Sequence, residues 1–210
     1  MKTKFKISVL TFLGLTIIGC QNVEKKEKNL IQEEKQLIQK EFGKLKTDNE
    51  SLEVEININQ FNNWNDLAGR TEEIICNDSL PIIKFTTDKE LKTIYFNNVC
   101  LDGSSFPGIK QKNVVEINND VIKKNERIFP LDSLESVLRR DIKNNGEKPR
   151  LSENPNKLTI LISYDNGFQN LTKTLDRLTK TYEKITNKTD INIWLVDEGN
   201  FKIPPRPKNQ

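Results

Sequence analysis

Few side chains in this sequence could carry chemistry. There are three cysteines, Cys20, Cys76 and Cys100, and no histidine. Without histidine, a serine or cysteine nucleophile lacks its usual base, imidazole acid–base catalysis has no agent, and histidine-ligated metals are excluded. That leaves the carboxylates. Asp66, Asp102 and Asp165 fall in expected loops or at a strand end. There a converging pair could act as acid and as base or nucleophile on a glycosidic bond. Loop aspartates more often serve turns and caps, so a carboxylate-dependent hydrolase of the envelope stands as an alternative and the first reading is non-catalytic. No Asp/Asn cluster has EF-hand spacing, so no metal and no other cofactor is expected. A small-ligand-binding protein, a further alternative, would need a sizeable apolar pocket that no stretch marks.

Of the three thiols, Cys20 has the most informative surroundings. Lys2, Lys4 and Lys6 precede an apolar run from Ile7 to Ile18. That run of about twelve residues is short of the roughly twenty that span a bilayer. Length and flanks favour a cleaved signal over residues 1–19. The run ends Leu15-Thr16-Ile17-Ile18-Gly19-Cys20, which resembles the lipobox of bacterial lipoproteins. The resemblance implies cleavage before Cys20, with palmitate and other acyl chains carried on its thiol and new amino group. Gly19 supplies the small residue at the cut. Several chains on one residue anchor stably, since each buried methylene contributes about 0.8 kcal/mol. Gln21 follows where Asp would signal retention, which leans toward the outer membrane. The expected location is the bacterial cell envelope, lipid-anchored, with the mature chain in or facing the periplasm.

Composition agrees with a tethered binding module. The formal charge of +3 comes from the three signal lysines; without them, 30 basic residues face 30 acidic ones. A neutral chain without a clustered basic face is a poor nucleic-acid ligand. Removing the first 19 of 210 residues leaves 191, enough for one domain or one domain plus a small module. With Cys20 lipidated, Cys76 and Cys100 are left as an even pair in a compartment that permits disulfides. A bridge between them would close a loop of about 25 residues, worth roughly 3–3.5 kcal/mol in the chain-entropy view. Two buried free thiols are the alternative.

The elements that must position these groups follow from periodicity. Residues 20–50 read as lipid anchor, polar tether and amphipathic helix, the last carried by Leu30, Ile31, Leu37, Ile38, Phe42 and Leu45. Such a helix would dock on its own domain or on a partner helix. Residues 51–112 read as a β-rich segment. Leu52, Val54, Ile56 and Ile58 alternate with polar residues, 62–70 is turn-rich, and strands are expected at 73–76, 82–86 and 92–100. Residues 101–108 form a turn-rich loop that could bind. Residues 113–203 read as an α+β domain of order β-β-α-β-α-β, a small sheet with helices on one face. Val114–Ile117 and Val121–Phe129 flank a turn at Asn118-Asn119-Asp120. A helix follows on Leu131, Leu134, Leu138 and Ile142, with Asp132 and Glu135 as a capping-box variant and Gly146 at its end. Next come a strand on Leu158, Ile160, Ile162 and Tyr164 and a helix on Phe168, Leu171, Leu175, Leu178, Tyr182 and Ile185. A final strand, 191–196, is apolar on both faces and therefore expected in the interior. Residues 204–210 form an extended tail.

Val114-Val115-Glu116-Ile117, Val121-Ile122, Arg127-Ile128, Leu131 and Leu134 resemble the opening of the ExbD/TolR periplasmic domain. Ile160 to Asp165 is similar to its next strand with the acidic end, and Phe168, Leu171, Leu175 and Leu178 to its second helix. The resemblance spans about 113–197 and implies a dimerising module that binds protein or peptidoglycan. Family members also carry an acidic residue inside an N-terminal transmembrane helix. Here the apolar run holds no acid, so proton coupling does not transfer. The expectation is a non-catalytic envelope lipoprotein whose partner is a protein, a second copy or the cell wall, and whose membrane contact is the lipid.

Overall fold

A computed structural model describes residues 37–45, 51–100, 108–165 and 167–197. Cys20, Asp102, the signal, the tether and the tail lie outside these residues. The described elements are β1 (Ile38–Phe42), β2 (Leu52–Glu55), α1 (Trp64–Cys76), β3 (Ser79–Thr86), β4 (Glu90–Tyr95), β5 (Val114–Asn118), β6 (Val121–Lys124), β7 (Arg127–Pro130), α2 (Leu134–Ile142), β8 (Thr159–Ser163), α3 (Leu171–Thr186) and β9 (Asn192–Leu195). They build an α+β fold on two sheets, ordered β1-β4-β3-β2 and β7-β6-β5-β8-β9.

In the five-stranded sheet β5, β8 and β9 run parallel, and the β5-β6-β7 meander is antiparallel. Parallel neighbours need a crossover, and α2 and α3 supply it. All five residues of β8 are buried, as expected of a central strand covered on both faces. Asn119 takes φ 51° in the β5–β6 turn, where asparagine tolerates the left-handed region. The expected second strand, Val121–Phe129, is split by a turn at Asn125, φ 55°, so three strands precede α2 and the order is β-β-β-α-β-α-β. The 3-10 turn Leu131–Ser133 leads into α2, and Ser133 makes no capping bond. The expected capping box does not form, because Asp132 binds Arg177 at 2.8 Å and Glu135 binds Arg139 and Lys184. Phe168 precedes α3 and packs partly buried against the core.

The first half departs further from the periodicity reading. Ile38–Phe42, expected as helix, is a strand parallel to β4. Fully buried Phe42 and the two ion pairs of Lys40, with Glu90 and Glu183, replace local helix preference with tertiary pairing. The expected strand at 73–76 and turns at 62–70 are the single helix α1. Its start is an Asn-x-x-Asp box: Asn63 accepts from the Asp66 N–H at 2.9 Å and donates its amide to the Asp66 carboxylate at 2.7 Å. Trp64, Leu67, Ala68, Thr71 and Ile74 then form its buried face. The expected strand at 92–100 ends at Tyr95. Strand β9 is apolar on both faces, yet it is the last strand of its sheet.

Residues from Ile38 onward cluster as one compact unit, so 112 is not a packing boundary. Phe42, Ile94 and Phe96 share one core with Ile160, Leu178 and Ile193. Polar bonds sew the sheets together. Gly43 N–H donates to Thr189 O at 2.8 Å, Asn97 N–H to Ile193 O at 2.9 Å, and the Asn97 amide to Gly43 O at 2.8 Å. On the opposite face of the five-stranded sheet, Val114, Leu161, Trp194 and Val196 pack under Val99 and Ile109.

Candidate functional site

Among the described residues, side chains converge around open space between α1 and the end of β9. The Trp64 indole donates to Val196 O at 2.8 Å and packs tilted on Tyr164 and Phe168, with centroids 5.0 and 6.0 Å away. This fixes the first turn of α1 against the carboxyl end of the sheet. At its other end the disulfide Cys76–Cys100, Cα–Cα 4.8 Å, ties α1 to the segment after β4. Between these two attachments lies a cleft of about 280 Å³, lined by Asp66, Gly69 and Glu72 of α1, by Asn98 and Val99, and by Trp194 and Asp197. Its walls mix carboxylate and amide groups with apolar side chains, the polar share being the larger.

The disulfide pairs the cysteines that the sequence left as an even pair. Of the three expected carboxylates, Asp66 lines the cleft and also caps α1. Asp165 lies elsewhere, accepting from the side chains of Asn118 at 3.2 Å and Asn119 at 3.5 Å. It ties the β5–β6 turn to the end of β8, a turn residue's work. Asp102 lies outside the described residues, and so does most of the loop expected to bind. Asp165 is not among the described residues that line the cleft with Asp66. Among the described residues no group of three His, Cys, Asp or Glu could hold a metal ion.

The sequence reading missed Gly69, Glu72, Asn98 and Trp194, because each joins the cleft only once α1 is recognised as a helix and β9 as an edge. One signal was present: the Asn63-x-x-Asp66 spacing before Leu67 and Ala68.

Other charged groups are engaged in holding the fold. Lys92 is fully buried, 2.9 Å from Asp176 and 3.0 Å from Thr179 Oγ1, above the Phe42 ring. Lys124, almost fully buried, reaches Asp141 at 2.7 Å and also donates to Lys112 O and Val114 O. Burial pushes its ammonium below the usual lysine range, partly opposed by the Asp141 charge. The Tyr95 phenol is pushed up to about 12, by burial and then by its bond to Glu53, so it is a structural donor at neutral pH. Three lysines, Lys110, Lys112 and Lys157, hold the Glu153 carboxyl well below the usual carboxylate range. No family model, no curated protein and no solved structure matches the chain.

Proposed function

We propose that this chain is a non-catalytic envelope lipoprotein, held at the membrane by acyl chains on Cys20, whose folded unit binds a protein partner or the cell wall. The observation that carries the proposal is the lysine-flanked apolar run ending Gly19-Cys20. Its single thiol stands apart from the two that pair in the Cys76–Cys100 disulfide. Disulfides persist in oxidising compartments, which favours an extracytoplasmic home. A binding role fits the way the charged side chains are spent. Most half-buried carboxylates among the described residues are engaged in ion pairs, among them Glu90, Glu153 and Asp176, and Asp165 serves a turn. The run from β5 to β9 is the part that resembles the ExbD/TolR periplasmic domain, and it favours a dimerising or wall-binding module without proton coupling.

The anchor is tested by labelling cells with palmitate. Label is expected in the wild-type chain and absent from Cys20→Ser; label entering the variant overturns the anchor. The binding role is tested by crosslinking in intact cells, which should trap a homodimer or a defined partner. A chain that stays monomeric and uncrosslinked would argue against it.

A further inference from the structure

We infer that the end of the five-stranded sheet where β5 and β8 begin is a basic face that docks on anionic phospholipid headgroups of the bilayer holding Cys20. It rests on the anchored reading above for its membrane, and adds to the tether a preferred orientation of the folded unit.

The neutral total of the mature chain hides a segregation. Segments 108–113, 124–127 and 139–157 carry ten lysines and arginines against four acids, in a mature chain that balances 30 against 30. Lys124 and Asp141 cancel inside the fold, and Arg139 pairs with Glu135. The remainder is surface. Arg127, Lys143, Lys148 and Arg150 are exposed, and none of them meets a carboxylate among the described residues. Lys110, Lys112 and Lys157 share one carboxylate, Glu153, at 2.8, 2.8 and 3.2 Å, which balances one charge of the three. Like charges held this close repel one another, and an external anion relieves that repulsion.

Buried polar groups gather these segments at one end. Residues 143–158 separate α2 from β8 with a single 3-10 turn, a long connection for a compact fold, where such loops usually serve function. Asn113 accepts from Glu153 N–H at 2.9 Å, and Asn144 from Lys148 N–H at 2.8 Å. Asp141 accepts from Ser152 N–H at 2.8 Å, and the Asn125 amide donates to Arg150 O at 2.8 Å. The last bond brings Arg150 to the β6–β7 turn that carries Arg127. Ile128, beside Arg127 on β7, is 69% exposed and gives the same end an apolar residue to seat among headgroups.

The anchor brings the headgroups within range. Residues 21–36 separate Cys20 from Leu37 and reach about 60 Å at full extension, against a radius of gyration of about 15 Å for a unit of this size. Any end of the unit can therefore turn to the bilayer. Charge selects this one, since each lysine or arginine near an anionic surface strengthens binding about fivefold.

The test uses the unacylated mature chain, residues 21–210, which keeps the whole compact unit from Ile38 onward. Because it carries no acyl group, its failure and a failure of the palmitate test are separate results. Sedimentation is measured with vesicles of phosphatidylcholine alone and with about one-third phosphatidylglycerol. Binding is expected only to the anionic vesicles, and to fall by about tenfold or more as salt rises from about 0.1 M to about 1 M. Lys148→Glu with Arg150→Glu is expected to weaken it by about 25-fold or more, with an unchanged melting temperature. Lys89→Glu with Lys173→Glu makes the same change of net charge outside this face and is expected to weaken it by less than about threefold. Equal binding to both vesicles or equal weakening by the two double variants overturns the face. So does loss of binding to millimolar inorganic phosphate at constant ionic strength, or retention on peptidoglycan without binding to vesicles.

Discussion

The side-chain amide of Asn98 closes on the backbone of Leu195 from both sides. It donates to Leu195 O at 2.5 Å and accepts from Leu195 N–H at 3.0 Å. One side chain thus takes the place of a neighbouring strand at the outer edge of β9. Just before it, Asn97 does the same with its own N–H to Ile193 O. An open edge is a template for unwanted pairing, and here two consecutive asparagines blunt it. Asn98→Ala is expected to lower stability by about 2 kcal/mol, since two buried backbone groups lose partners. It should also raise the amide exchange rate of Leu195 by about tenfold or more, with little change at Trp194, whose strand register faces β8. Equal exchange at Leu195 in both proteins would show that the edge is protected by something other than this amide.

Gly43 is the second place where a single residue joins the sheets. Its φ is +85°, and a Cβ would fall 2.5 Å from Tyr95 O and 3.2 Å from Ile191 O. Both obstacles are backbone and cannot swing away. Gly43→Ala is expected to cost about 3 kcal/mol or more, from left-handed strain plus a clash that must move a strand. Gly69→Ala makes the matched control: a glycine in open helix, expected to gain up to about 1 kcal/mol. Denaturant midpoints moving in opposite directions for the two variants check the contrast. A Gly43→Ala protein as stable as wild type would mean that the junction is soft.

Local chemistry announced some of this structure, and long-range pairing decided the rest. Strand β8 and helices α2 and α3 were legible because their apolar residues repeat at the period of the element they form, and Asn119 because few other residues accept its φ. The disulfide was legible by elimination among three thiols. Strand β1 was not, since Leu37, Ile38 and Phe42 fit a helical stripe equally well and only β4 decides between the two. Helix α1 was hidden by Gly69 and by Ile74-Ile75, whose branched side chains suggest a strand. The edge position of β9 was invisible because Asn97 and Asn98 cover it from ninety-five residues or more away. The cleft inherits both failures, being made of one face of α1 and one end of β9.

Lys92, buried between β4 and α3, gathers two of the carboxylates that tie the stability of the fold to pH. Its ammonium meets Asp176 at 2.9 Å and Glu90 at 3.5 Å, and Lys180 supports Asp176 at 2.8 Å. Burial pushes the Asp176 carboxyl up, but the hydrogen bonds from Lys180 and Lys92 outweigh it and hold the group below the ordinary carboxylate range. Glu90 behaves alike, with Lys40 as the first opposing partner. In both, the folded state binds its proton more weakly than the unfolded chain. Their stabilisation is therefore complete above the unfolded value of about 4 and is lost as pH falls through the lower folded values. Asp176→Asn is expected to lower stability at pH 7 by about 1–3 kcal/mol, because Lys92 remains buried with a weaker partner. Below pH 4 the variant should lose stability less steeply than wild type, because one of the two proton-linked groups is gone. Urea midpoints measured from pH 7 to pH 3 resolve both effects. Parallel curves with a constant offset would mean that the Asp176 carboxyl binds its proton equally well in the folded and unfolded chain, so that its pairing with Lys92 is not proton-linked.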